Sequence, residues 1–322
     1  MTLMSEEIGF KNDEMNACPA CGRLNPPNRL NCLYCAAQFE IGTIDLSRVK
    51  LTSRRLESWE KGYNVVAVNI PATVDEVRLE EVARNTGVEI SVLRETAGRT
   101  TPLPLVRVGK HDEAEIVAAN LSRIGLAVVI VADAELVVDK PPARCRLLTF
   151  GENSITFVPL NSGADVELNH SVIELIVSGS IYESKVESVK QRKIRNSTTR
   201  IDSEVSSDMP LIDVYSRSHP LGFRIPANGF DFSCLGPEKV YIASQNLKAL
   251  LRKLTELAPD AKLVSDYEND RRLLDRVWDV DERTESLGIK RSGFAKKDLA
   301  SVTTRSNLLQ FTKYSRLQRH LL

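Results

Sequence analysis

The chain has 322 residues, about twice the length of a typical domain, which predicts two or more domains. Its composition, 42% hydrophobic and 27% charged, is that of a globular protein and excludes a disordered or collagen-like chain. Lysine plus arginine and aspartate plus glutamate both number 43, so the net charge of the whole chain favours neither nucleic acid nor an anionic membrane as a partner.

The N-terminal residues do not have the pattern of a targeting signal. Glu6 and Glu7 stand where a secretory signal carries lysine or arginine, and no apolar region follows them. The longest apolar run, Leu126 to Ala132, is far shorter than the roughly 20 residues that span a bilayer. We therefore expect a cytoplasmic protein without a transmembrane segment.

Two C-x-x-C pairs lie close together near the N-terminus. Their members are Cys18, Cys21, Cys32 and Cys35. Two such pairs bring four thiolates to about 2.3 Å from one tetrahedral ion, and the turn-rich loop between them forms no core of its own, so metal binding would fold this segment. Four thiolates leave no position for water, which predicts one structural Zn²⁺, with an iron centre or a redox pair as the alternatives.

The cysteine segment resembles the bacterial zinc-ribbon family, whose motif is C-P-x-C-G-x-x-N-P, a short loop and C-x-x-C-G. The matching residues are Cys18, Pro19, Cys21, Gly22, Asn25, Pro26, Cys32 and Cys35. Ala36 stands where the family prefers glycine, which implies a slightly strained turn. The resemblance covers residues 18–36 and implies a metal rather than a particular activity. We expect the small zinc ribbon, with a flexible leader, to occupy residues 1–47.

The cysteine spacing is also similar to that of the Ran-binding nucleoporin zinc fingers, some of which stack a tryptophan on RNA bases. Asn16 and Ala17 occupy the positions before the first cysteine, so that stacking residue is missing here. A segment this small cannot bury all its apolar side chains, and we expect the ribbon to present them to a protein partner. The candidate partner-binding residues are Leu24, Leu30, Leu33 and Tyr34.

Residues 61–140 contain two similar successive units. The first has a strand at 64–70, a helix from about Val74 with Thr73 and Glu76 in capping-box spacing, Gly87 as its end, and a strand at 88–93. The second has a strand at 103–108, a helix at 112–123, Gly125 and a strand at 126–131. Two tandem βαβ units predict a ferredoxin-like α/β sandwich, a four-stranded antiparallel sheet with two helices on one face. A ligand site and a purely structural sheet both remain open.

Residues 141–260 are rich in short strands. We expect them at 146–150, 155–160, 166–168, 172–181 and 211–216. Asn228-Gly229 is typical of a type I′ hairpin turn joining 223–227 to 230–234. A helix within 240–257 follows, and strands closed by one C-terminal helix predict a pleckstrin-homology-like barrel. The fold class is therefore α+β and multidomain.

A first basic segment runs from Lys185 to Arg200, with six bases and one acid. The serines and threonines after it favour a long mobile loop that extends to Ser207. Such a loop could receive phosphate groups of a lipid or a nucleic acid, or it could be a solvated loop without a ligand. Its candidate anion-binding residues are Lys190, Arg192, Lys193 and Arg195.

A second basic segment closes a predicted helical tail, residues 261–322. Phe311, Tyr314, Leu317 and Leu321 recur at helical spacing within 306–322. The helix is predicted to lie on phosphate, on an acidic partner or on the acidic segment 71–139 of this chain. Its candidate anion-binding residues are Lys313, Arg316 and Arg319.

Motifs for catalysis are absent from the sequence. It contains no G-x-S-x-G elbow, no H-E-x-x-H pair and no glycine-rich phosphate loop, and its four histidines are scattered. We expect no catalytic residues and a non-enzymatic protein that mediates protein–protein interaction in a bacterial regulatory or assembly role. The alternative is nucleic-acid binding through the zinc ribbon and the basic tail, and an anionic membrane surface is the third partner considered.

Overall fold

The computed structural model describes residues 15–27, 29, 31–39, 55–71, 73, 75–161, 163–192, 198–293 and 296–322. For the strand residues 189–192, 198–202, 287–293 and 296–300 it describes the backbone alone. The predicted leader before residue 15, Leu30, Lys193 and Arg195 lie outside the described residues. The chain divides into two compact units, Met1–Asp133 and Ala134–Leu322. The expected mixture of helices and strands is confirmed.

The first unit begins with two short antiparallel strands, β1 (Asn16–Ala17) and β2 (Leu24–Asn25). An α/β module follows, and its elements are β3 (Tyr63–Asn69), α1 (Glu76–Thr86), α2 (Ile90–Thr96), β4 (Leu103–Val108), α3 (His111–Arg123) and β5 (Ala127–Ala132). The three strands of the module pair in the order β4-β3-β5, with β3 antiparallel to both neighbours. α3 therefore connects two parallel strands on either side of β3, which is a split βαβ arrangement.

The structure corrects the four-stranded ferredoxin-like prediction. Residues 88–93, expected as a strand, lead into and form most of α2, which buries Val92, Leu93 and Thr96. A short apolar run is compatible with a helix as well as a strand, and here the buried positions are spaced as on a helix. The cap of α1 also differs, because the Asp75 carboxylate, rather than Thr73, accepts a hydrogen bond from the Val77 backbone N–H.

The second unit is built around a nine-stranded sheet. Its strands are β6 (Ala143–Phe150), β7 (Ser154–Pro159), β8 (Val166–Asn169), β9 (Ile173–Arg192), β10 (Thr198–Ser216), β11 (Phe223–Pro226), β12 (Lys262–Val264), β13 (Asp281–Gly293) and β14 (Lys296–Ser306). Its α-helices are α4 (Ala243–Leu257), α5 (Tyr267–Leu274) and α6 (Leu308–His320). Eight strands follow the order β13-β14-β9-β10-β11-β6-β7-β8, and β12 pairs with β9 in parallel.

α4 and α6 cover opposite faces of this sheet. In β10, Ile212 and Val214 belong to the apolar cluster that includes the leucines of α4. The alternating residue Tyr215 instead donates or accepts a hydrogen bond at Ser315 of α6, with 2.7 Å between the hydroxyl oxygens. Successive side chains of a strand point to opposite faces, so the two helices lie on different sides. The part of the sheet that lies between the two helices is therefore buried on both faces.

The predicted hairpin at 223–234 is wrong in its second half. Phe223–Pro226 forms β11, but the residues after the turn form a 3-10 helix, Phe232–Glu238. The Asp231 carboxylate accepts a hydrogen bond from the Ser233 N–H and caps that helix. β11 already pairs with β10 on one edge and β6 on the other, which leaves no edge for a hairpin partner.

The predicted secondary structure is wrong for the first basic segment and for the middle of the helical tail, whereas the helix expected within 306–322 is confirmed as α6. Instead of a mobile loop, residues 185–192 and 198–207 lie in β9 and β10 and pair in antiparallel register. The predicted helical tail is helical at α5 and at α6, whereas 281–293 and 296–306 form β13 and β14. These strands extend the same sheet, so a strand-rich barrel ending in one helix does not describe the unit. Among the described residues, no helix is long and apolar enough to cross a membrane.

Candidate metal centre

The four N-terminal cysteines converge on one point. The Sγ atoms of Cys18 and Cys35 are 3.6 Å apart, and so are those of Cys21 and Cys32. All four sulfurs lie within 4.8 Å of one another. Four thiolates at metal–sulfur distances of about 2.3 Å around a tetrahedral ion would have their sulfurs about 3.8 Å apart. The cluster therefore has the donor set and the size to hold a metal ion.

Matching turns present the two pairs of cysteines. In the first, the Gly22 N–H donates to the Cys18 carbonyl at 2.8 Å, and in the second the Ala36 N–H donates to the Cys32 carbonyl at 3.0 Å. Both residues have positive φ, +71° at Gly22 and +59° at Ala36. The left-handed region strains an alanine but not a glycine. Ala36 therefore adopts, at some cost, the backbone conformation that a glycine at this position would favour.

Asn25 connects the two turns, a role that the sequence indicated only through its place in the motif. Its side chain is buried, its Nδ2 donates to the Cys32 Sγ at 3.4 Å, and its Oδ1 accepts from the Leu33 N–H at 2.8 Å. The Tyr34 N–H also donates to the Cys32 Sγ. Donors of this kind hold metal-bound thiolates in place and reduce their charge.

The protonation of the cysteines is uneven. Desolvation raises the pKa of Cys32, but the N–H donors of Tyr34, Cys35 and Asn25 outweigh it and lower the pKa to about 6. At Cys35 the Ala37 N–H lowers the pKa, but the hydrogen bond with Cys21 and desolvation outweigh it and raise the pKa to about 12. A metal needs all four as thiolates, so binding an ion here releases protons.

The predicted partner-binding residues that the structure describes lie around these turns. Leu24, Leu33 and Tyr34 are 44%, 55% and 57% exposed. The Arg23 guanidinium lies 4.7 Å from the centroid of the Tyr34 ring, a cation–π contact that limits the motion of both side chains. The Leu33 N–H donates to Asn25 and the Tyr34 N–H donates to Cys32, so these two exposed apolar side chains stand on a turn that the cysteine cluster holds.

The predicted anion-binding residues of α6 lie within the second unit. Lys313 and Arg316 are 6% and 5% exposed. Arg316 donates from Nη1 to the Pro220 carbonyl and from Nη2 to the Lys140 carbonyl, while burial lowers its pKa. The Arg319 Nη2 lies 2.9 Å from the Glu174 carboxylate. The helix places these bases inside the fold instead of on an exposed basic face.

Two of the predicted anion-binding residues of the first basic segment, Lys190 and Arg192, are described, and both lie in strand β9. Lys190 lies opposite Arg200 in the pairing of β9 with β10, and Arg192 lies opposite Thr198. They belong to a different part of the second unit, at the far end of its long strands.

A second group of metal-ligating residue types lies at the start of α3. His111, Asp112 and Glu115 each place one ligand atom within 4.8 Å of the others. The helical spacing i, i+1 and i+4 is the signal that could have identified it in the sequence. His111 and Glu115 are about half exposed, and their side chains form a 3.7 Å pair. Exposed groups of this kind are common without a metal, so the cysteine cluster is the stronger candidate.

No protein-family model matches this chain, and comparison with curated proteins and with solved structures also gives no match. The functional argument therefore rests on the geometry of the chain itself. What that geometry defines is a mixed α/β protein with a four-cysteine cluster that could bind a metal ion.

Proposed function

We propose that the protein is a zinc-ribbon protein, non-enzymatic, that mediates protein–protein interaction in a regulatory or assembly role. The observation that carries this proposal is the position of Leu33 and Tyr34, exposed on a turn whose backbone is held by the cysteine cluster and Asn25. Apolar side chains on a rigid surface lose little conformational entropy when a partner covers them.

Zinc is the ion proposed for the cluster. Four thiolates in a tetrahedron suit Zn²⁺ and leave no position for a water molecule or a substrate, which supports a structural role. Thiols also stay reduced in the cytoplasm, the compartment we propose, where they are available to a metal rather than oxidised to disulfides. The resemblance to bacterial zinc ribbons supports the same assignment.

The experiment is quantitative crosslinking and affinity capture with the full chain. We expect Leu33→Ser with Tyr34→Ser to abolish capture of the ribbon's partner while the metal content stays unchanged. The matched control is Val240→Ser with Tyr241→Ser, which removes two exposed apolar side chains from the second unit. Capture that survives the ribbon substitutions, or that is lost equally in the control, would refute the proposal.

Nucleic-acid binding through the ribbon and the basic tail is the alternative function. It has less support because Lys313 and Arg316, two of its three proposed phosphate-contacting residues in the tail, are buried. Removing the metal tests whether capture depends on the cysteine cluster, and the second unit serves as a control for a general loss of structure. With chelator, partner capture should fall, whereas the emission of buried Trp278 in the second unit should not change.

A further inference from the structure

The first basic segment and the bases at 290–297 of the predicted helical tail meet at one end of the nine-stranded sheet. Four strands continue past the core to form what we call the extension, residues 183–192, 198–208, 281–293 and 296–306. They pair in the order β13-β14-β9-β10. Near the far end, Gln191 of β9 lies opposite Asp298 of β14, and Lys290 of β13 lies opposite the same residue. Segments about 100 residues apart in the chain thus become neighbours.

The described strands of the two hairpins of the extension end at nearly the same height. The last pair of β9 and β10 is Arg192 with Thr198, and the last pair of β13 and β14 is Gly293 with Lys296. Because Gln191 lies opposite Asp298, Arg192 is level with Lys297. Lys296 therefore lies one residue, about 3 Å, farther from the core than Arg192. Four adjacent strands span about 14 Å, and across that width the described ends of the strands are level.

The charge of the extension changes sign along its length. Its far end, residues 189–192, 198–202, 289–293 and 296–299, carries seven bases and two acids. We call this part the basic end, and its bases are Lys190, Arg192, Arg200, Lys290, Arg291, Lys296 and Lys297. The part next to the core, residues 183–188, 203–208, 281–286 and 301–306, carries three bases and seven acids.

We infer that the basic end docks on an anionic lipid surface, with the strands standing on the membrane. Bases from two hairpins, near strand ends that are level where they are described, fit a plane of negative headgroups. The acids behind them would be repelled by that plane, so the charge pattern orients the strands end-on. A nucleic acid lying along the strands would instead pass over the acidic part. The inference does not rest on the function proposed for the ribbon.

Vesicle co-sedimentation of the full chain tests this inference. The probes are vesicles of phosphatidylcholine mixed with phosphatidylserine, and vesicles of phosphatidylcholine alone. One variant neutralises the β13–β14 hairpin, with Lys290→Gln, Arg291→Gln and Lys297→Gln. A second neutralises the β9–β10 hairpin, with Lys190→Gln, Arg192→Gln and Arg200→Gln. The matched control removes three exposed bases elsewhere in the second unit, Arg146→Gln, Lys248→Gln and Lys262→Gln.

We expect binding to the phosphatidylserine vesicles only, weakening as salt is added. Each base at a membrane surface is worth about fivefold in affinity, so either hairpin variant should lose roughly a hundredfold. The control carries the same change in net charge and should lose far less. In a Trp59→Phe background, unchanged Trp278 emission would show that the second unit of each variant remains folded.

Three results would overturn the inference. The first is equal binding to both kinds of vesicle, or to neither. The second is a loss confined to one hairpin variant, since both hairpins contribute bases to the basic end. The third is salt-dependent binding of duplex DNA or single-stranded RNA, measured by fluorescence anisotropy, without binding to vesicles. That last result would assign the basic end to a nucleic acid.

Discussion

Replacing Arg224 by methionine should destabilise the second unit strongly. The Asp213 carboxylate accepts hydrogen bonds from Nε and Nη2 of Arg224, both at 2.7 Å, and the two side chains are 0% and 9% exposed. Arg224 also donates to the Thr312 hydroxyl of α6. Removing one partner of a buried ion pair costs about 3–5 kcal/mol because the other charge is left uncompensated. In a unit of this size each kcal/mol lowers the melting temperature by about 2–4 °C, so we expect a fall of about 6–20 °C.

The two tryptophans allow the second unit to be observed by itself. Trp59 of the first unit is 78% exposed, and Trp278 of the second is 1% exposed. In a Trp59→Phe background, the emission of Trp278 reports unfolding of the second unit in the full chain. Thermal and urea unfolding should then be compared with and without Arg224→Met.

A double substitution separates the loss of stability caused by an uncompensated buried charge from the loss caused by altered packing. Asp213→Leu together with Arg224→Met leaves no charge inside, so it should recover most of the stability lost in the single variant. The reasoning is refuted if Arg224→Met leaves the melting temperature within about 2 °C of the parent. It is also refuted if the double variant is less stable than Arg224→Met alone.

Three further changes have expected outcomes. Cys21→Ser should lower bound metal from one ion per chain to almost none, measured by elemental analysis, because three thiolates hold the ion less well; full retention would contradict the four-cysteine site. Gly179→Ala should cost about 1–3 kcal/mol in urea unfolding, since its Cβ would lie 2.7 Å from Phe311 and 2.8 Å from Tyr267. Leu250→Ala should cost about 2–5 kcal/mol in that assay, because this fully buried α4 side chain leaves a cavity; a neutral result would contradict the packing.

Helices with a clear apolar period were predictable from the sequence. The helix expected at 112–123 is α3, and the helix expected within 240–257 is α4. Gly87 and Gly125 mark helix ends with φ of +74° and +87°, a conformation that glycine alone adopts without strain. The four-cysteine cluster was also predictable, since two close cysteine pairs restrict the geometry before any tertiary contact is known.

The long strands of the extension were not predictable from local pattern. Prediction of a strand depends on apolar residues at alternate positions, and that alternation exists where one face of a sheet is buried. β9 and β10 continue beyond the core, and Ser203 to Asp208 of β10 are exposed, so polar residues replace the alternation and a loop was predicted instead. The neighbours of these strands come from residues 281–306, and no local signal indicates so distant a pairing.

The position of α6 in the second unit affects how the chain folds during synthesis. Phe311, Tyr314 and Leu317 are fully buried against strands made much earlier, β9 beginning at Ile173. At about 5–20 residues per second, translation takes on the order of 10 s to pass from that strand to α6. One face of the sheet lacks its covering helix throughout that interval. The nascent second unit should therefore be a client for chaperones at the ribosome until α6 emerges.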